Sequence, residues 1–131
     1  MTVSEALLNC ISAALDGREC ALTLAPDDWT ALLRLAGEQK LLPLVYAAVR
    51  GTPGFAAAPE AVRAAARRQT MREAAAQTVH TEAFLRLYQA LRAEGLAPVV
   101  VKGIVCRALY PQPELRPSSD EDLYLTAAEM P

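Results

Sequence analysis

Apolar residues recur at helical spacing from the N-terminus onward. Leu7, Cys10 or Ile11, and Ala14 or Leu15 line one side of a first helix. Thr2-Val3-Ser4-Glu5 stands before it with capping-box spacing, so that the Thr2 hydroxyl can accept from the backbone three residues on while Glu5 reaches back. Asp16-Gly17 stops the pattern. A second helix opens at Pro26-Asp27-Asp28, with proline at a first helical position and two acids at the positive end of the helix dipole. Trp29, Leu32, Leu33, Leu35 and Ala36 carry its stripe, which runs to about Lys40. A third helix begins at Pro43 and holds Leu44, Val45, Ala48 and Val49, until Gly51-Thr52-Pro53-Gly54 breaks it.

From Pro59 to Glu94 no proline or glycine interrupts the chain, and Gly95 follows as a C-cap. The segment predicts one long helix or two stacked ones, with Val62, Ala66, Ala76, Val79, Phe84, Leu87, Tyr88 and Leu91 on the buried side. Ala56-Ala57-Ala58 ahead of it reads as a soft linker. Beyond Gly95 the grammar changes. Pro98-Val99-Val100-Val101 is a short β-branched run suited to a buried strand, Ile104 to Tyr110 allows two helical turns, and Pro111-Gln112-Pro113 ends them. Glu114 to Ser119 reads as loop, and Asp120 to Leu125 alternates acid and apolar residues at the period of a strand. The fold class that follows is α+β, mostly α: a helical region over 1–95, then a β-α-β portion over 96–131 with a small mixed sheet.

Composition excludes several classes. With 131 residues the chain suits one domain, and at 53% hydrophobic and 21% charged residues it folds rather than remaining disordered. A net charge of −2 supplies no global field toward nucleic acid or anionic lipid, so an anionic ligand must be captured locally. Arg63, Arg67, Arg68 and Arg72 form an acid-free segment that could contact phosphate, but a solvated helix face accounts for them more simply. Cys10, Cys20 and Cys106 are odd in number and far apart, with no zinc spacing, which points to a reduced, cytoplasmic compartment. No membrane span or signal sequence is evident. His80, the lone histidine, sits mid-helix without a second ligand and receives no role.

The chemistry concentrates after Gly95. On a strand, residues two apart share a face, so Asp120 and Asp122 project side by side while Glu121 points away. Two close carboxylates repel unless a proton or cation lies between them, and Mg2+ prefers hard oxygen ligands completed by water and phosphate. On spacing alone, a solvated strand terminus explains the pair more readily. Arg116 suits either a phosphate contact or a brace on Glu114 or the acidic strand. Arg107 reads as helix surface, and Tyr110 as an anchor of the short helix.

Taken together, Lys102-Gly103 at the end of an apolar strand, Tyr110-Pro111, Arg116-Pro117 and Asp120-Glu121-Asp122-Leu123 follow one another at a spacing that resembles the bacterial uncharacterised nucleotidyltransferases of the polymerase-beta-like superfamily. The Asp28-Trp29 helix start and the long helix running into the Lys-Gly strand also look like that family. The resemblance implies a Mg2+-dependent nucleotidyltransferase that moves a nucleotidyl group from a nucleoside triphosphate to an unknown acceptor. Asp120 and Asp122 would be the catalytic and metal-binding residues of a two-metal site, and Lys102, Gly103 and Arg116 would bind phosphate. Lys102-Gly103 stands where the wider superfamily has Gly-Ser.

That superfamily draws a third carboxylate from a later strand, whereas Thr126-Ala127-Ala128-Glu129 announces a helix that Met130 and Pro131 cannot complete. The expectation is a truncated catalytic portion, inactive by itself, whose open strand edges invite pairing between copies as a homo-oligomer. The alternative class is a non-enzymatic helical interaction module that retains a degenerate nucleotidyltransferase remnant, and nucleic-acid or membrane partners are not expected.

Overall fold

A computed structural model describes residues 1–117 and 121–129. Helix α1 spans Val3–Leu15, α2 Pro26–Glu38, α3 Leu42–Val49 and α4 Glu60–Ala93. Strand β1 (Val99–Val101), the short helix α5 (Gly103–Arg107) and strand β2 (Asp122–Tyr124) follow. The mostly helical α+β reading holds. The expected caps are present as well: the Thr2 hydroxyl accepts from the Glu5 N–H at 3.1 Å, and the Glu5 carboxylate accepts from the Thr2 N–H at 2.6 Å. These bonds stabilise the ionised acid and hold the Glu5 carboxyl below its usual range. Gly17 and Gly95 adopt φ of 68° and 84° where α1 and α4 end, a conformation that a Cβ disfavours.

One apolar core joins the first three helices to the start of α4. Trp29 and Leu32 are wholly buried, packed with Ala6, Cys10, Val45, Val49 and Ala66. Phe55 meets Trp29 edge to face with ring centroids 5.3 Å apart, an arrangement that suits the ring quadrupoles. The Gly51–Gly54 break is more ordered than a simple interruption, because Pro53–Ala57 forms a 3-10 turn that delivers Phe55 to this core. Gly54 is required there, since a Cβ would overlap the Leu22 carbonyl oxygen.

Helix α4 is single, with 34 residues and therefore about 50 Å of length. The core it packs on is shorter. Of the side chains expected inside, Ala66 and Phe84 are buried, whereas Ala76 is exposed and Val79 and Leu87 are 66% and 51% exposed. The correction is geometric: α3 and the Pro113–Leu115 3-10 turn pack along α4, and in its second half Gln77, His80 and Phe84 are the covered positions, which leaves Val79 and Leu87 exposed. Pro113–Leu115, expected to be irregular, closes that turn and buries Leu115 against α4.

The strands form a two-stranded antiparallel sheet among the described residues, so its mixed character is corrected. Val99–Val101 and Asp122–Tyr124 run in opposite directions, with Val101 opposite Asp122 and Val99 opposite Tyr124. Both outer edges lack a strand partner among the described residues. The expected helix at Thr126 is a single 3-10 turn, Ala127–Glu129. Its Glu129 carboxylate accepts from the backbone N–H groups of Thr126 (2.9 Å) and Ala97 (3.1 Å), which lowers the Glu129 pKa and links the two outer ends of the hairpin. No helix of the described residues is long and apolar enough to cross a membrane.

Leu32→Ala is expected to cost about 2–5 kcal/mol through lost transfer energy and a residual cavity. Val79→Ala, at an exposed position of α4, should change stability by less than about 0.5 kcal/mol. Urea denaturation of the two variants checks the contrast. A second prediction concerns the thiols. Burial, reinforced by the neighbouring Cys20, pushes the Cys10 thiol from its usual 9.0 up to about 12, so it stays protonated and inert. An aromatic disulfide reagent at pH 8 should label half-buried Cys106 quickly and leave Cys10 and Cys20 until denaturant is added. Because the folded state holds the Cys10 proton more tightly, this group's contribution to stability is intact below pH 9.0 and is lost as the pH rises toward about 12.

Candidate functional site

The sheet register places the two ends of the chemical segment together. Val101 pairs with Asp122, Val100 with Leu123 and Val99 with Tyr124, so Lys102 leaves β1 beside the point where Asp122 begins β2. The Lys102 Nζ lies 3.5 Å from Asp122 Oδ2, with the lysine side chain 77% exposed and the aspartate 48% exposed. Two charges in such a solvated position attract weakly and stay available to other partners. Lys102 also adopts φ 58° and ψ −147°, which costs a residue with a Cβ conformational energy and persists only where neighbours enforce it.

Two side chains hold that turn. Arg116 Nη1 donates to the Gly103 carbonyl at 3.3 Å, and its guanidinium lies 5.8 Å from the centre of the half-buried Tyr110 ring. Arg116 thus braces the Lys102-Gly103 turn, and not Glu114. From the other side, Glu121 Oε2 accepts from the Ile104 N–H at 2.8 Å.

Glu121 is the residue that sequence reasoning passed over. Its side chain is only 6% exposed, and Oε1 accepts from Arg107 Nη2 at 2.8 Å and from His80 Nε2, as a protonated nitrogen, at 3.2 Å. Arg107 also donates through Nη1 to Gln77 Oε1 at 2.5 Å. The expectation of a surface Arg107 is therefore corrected: the guanidinium is 2% exposed, because α5 lies with this face toward α4 and toward an acid able to neutralise it. His80, assigned no role, is a member of the same network. The available signal was the acid–apolar alternation itself, since an acid turned inward beside a strand needs a buried cationic partner.

Lys102, Gly103, Arg116 and Asp122 are thus brought together, while Asp120 lies outside the described residues, as do Ser118 and Ser119. Among the described residues no three His, Cys, Asp or Glu side chains converge as a metal cage. The donor chemistry of Asp122 nevertheless fits a hard divalent cation: it is a half-exposed carboxylate whose counter-ion is an exposed lysine. Within the arginine segment of α4, Arg63 spends its Nε on the Ala58 carbonyl at 3.0 Å, whereas Arg67, Arg68 and Arg72 are exposed, as a solvated helix face requires.

Comparison with known proteins adds the family. The model of a family described as uncharacterised nucleotidyltransferase matches residues 25–131, which takes in α2 through the end of the sheet. The chain belongs to this family. No match is found among curated proteins or among solved structures. The matched span includes both the Lys102-Gly103 turn and Asp122, together with His80 of α4, which reaches Glu121.

Glu121→Gln would leave the Arg107 guanidinium buried without a counter-charge. The expected loss of stability is about 3–5 kcal/mol by urea denaturation. A loss under about 1 kcal/mol would show that the folded state does not depend on this charge pair.

Proposed function

We propose that the protein transfers a nucleotidyl group from a nucleoside triphosphate to an acceptor hydroxyl with the help of Mg2+. The observation that carries the reading is the Lys102–Asp122 juxtaposition across the antiparallel strands, in a chain of nucleotidyltransferase family. Asp122 and Asp120 are the residues that would hold the cations. When bound, Mg2+ supplies neutralisation of triphosphate charge and a lower pKa for the attacking hydroxyl.

The chain's own groups do the rest. Lys102 offers an exposed ammonium beside Asp122, suited to a phosphate oxygen as a point charge. Gly103 lets backbone come close to the ligand, and Arg116 fixes that backbone through the Gly103 carbonyl. In the reaction a bond forms between the acceptor oxygen and the α-phosphorus, the bond from that phosphorus to the β-phosphate bridge oxygen breaks, pyrophosphate leaves, and the hydroxyl proton passes to solvent. Holding the triphosphate in line with the acceptor is the main contribution asked of the protein.

Isothermal titration with Mg-ATP tests the reading. Wild-type protein is expected to bind, and the Asp120→Asn/Asp122→Asn double variant to bind at least about 10-fold more weakly, corresponding to about 1.4 kcal/mol. Equal affinity in the two proteins would remove the carboxylates from the mechanism.

A further inference from the structure

The nucleotide reading assigns work to Asp120 and Asp122 and leaves the acid between them unused. We infer that Glu121 is a positioning residue for the nucleotide site, setting the Lys102-Gly103 turn against Asp122 through the Ile104 backbone N–H. This assignment rests on the nucleotidyl-transfer reading.

Two separate elements converge on the one carboxylate. Helix α4 contributes His80, and Gln77 behind Arg107; α5 contributes Arg107 at its end and the Ile104 N–H near its start. Glu121 itself precedes Asp122 in the chain, and Ile104 follows Lys102 by two residues. Fixing one carboxylate therefore fixes both residues of the exposed pair, Lys102 from one strand end and Asp122 from the other. Neither partner could hold the arrangement unaided. A helix of five residues is too short to sustain itself, and Lys102 is in a backbone conformation it would leave if released. Relaxation of Lys102 to an ordinary negative φ would redirect its ammonium away from Asp122.

The network has two separable parts. The Arg107–Glu121 ion pair neutralises buried charge and is a matter of stability. The Glu121–Ile104 bond needs only an acceptor oxygen, and it is this bond that orients the turn. Two double variants divide them. Arg107→Met/Glu121→Leu removes both charges and the acceptor, whereas Arg107→Met/Glu121→Gln removes both charges and keeps an acceptor for Ile104. Replacement of a buried ion pair by apolar groups of similar volume is commonly tolerated, and the Gln amide keeps Ile104 and His80 within reach as partners, so both proteins are expected to fold.

The measurements are hydrogen exchange of the Ile104 amide by NMR and the affinity for Mg-ATP by isothermal titration. The Met/Leu variant is expected to exchange Ile104 at least about 10-fold faster and to bind Mg-ATP at least about 10-fold more weakly, while Met/Gln stays within about 3-fold of wild type in both. A Met/Leu protein that matches wild type in both measurements overturns the assignment. So does a Met/Gln protein as impaired as Met/Leu, because the ion pair would then be the controlling contact. If Met/Leu does not fold, Met/Gln decides alone: protected Ile104 with retained affinity supports the role, and loss of both overturns it. Wild-type protein that binds no Mg-ATP overturns the nucleotide reading and this role with it, an outcome distinct from equal binding by wild type and Met/Leu.

Discussion

A carboxylate and a guanidinium, both withdrawn from water, form the constraint on which the C-terminal half of this structure depends. Arg107 at 2% exposure and Glu121 at 6% cannot be moved apart without leaving a charge in a weakly polar surrounding. Because Arg107 closes α5 and Glu121 precedes β2, their pairing ties the end of the short helix to the start of the second strand. Between them Leu115 is seated on α4, and β2 lies antiparallel to β1. His80 and Gln77 complete the arrangement from α4, so the helical region takes part directly in placing the strands.

A different kind of interaction organises the first sixty residues. There the helices are held by apolar packing around Trp29, Leu32, Val45 and Val49, a non-directional force that tolerates variation in detail. The polar network at the other end is directional, made of few contacts with specified atoms. Helix α4 connects the two. Its first half belongs to the apolar core through Ala66, and its second half presents His80 to the buried acid and Gln77 to the paired Arg107 while Val79 and Leu87 face outward.

The contrast between Glu121 and Asp122 shows how adjacent acids acquire different chemistry. Both carry the same functional group on successive residues, but one has its oxygens occupied by three donors and the other stands half exposed beside a lysine. The first is committed to structure. The second retains unshared lone pairs, which is what a ligand to a divalent cation or a neighbour to a triphosphate needs. Lys102 shows the same economy in backbone terms, with a strained turn held from both sides while its side chain remains in solvent.

Local physics was legible in the sequence, and long-range pairing was not. The Thr2-Glu5 capping box, the proline start of α2, the glycine ends of α1 and α4 and the change from helical to strand grammar after Gly95 all depend on neighbours within a few residues, and the chain states them directly. The Lys-Gly turn and the acidic strand were also visible, because their order and spacing survive in one dimension. Tertiary structure alone decided that Arg107 is buried, that His80 reaches Glu121 and that Val79 and Leu87 lie outside. A helix periodicity says which residues share a face, but what covers that face depends on elements remote in sequence. A charged side chain, likewise, has no assigned environment until the fold supplies or withholds its counter-ion. Glu121 had the right residue type in the right alternation; only its three donors, drawn from α4 and α5, reveal why an acid stands between two aspartates.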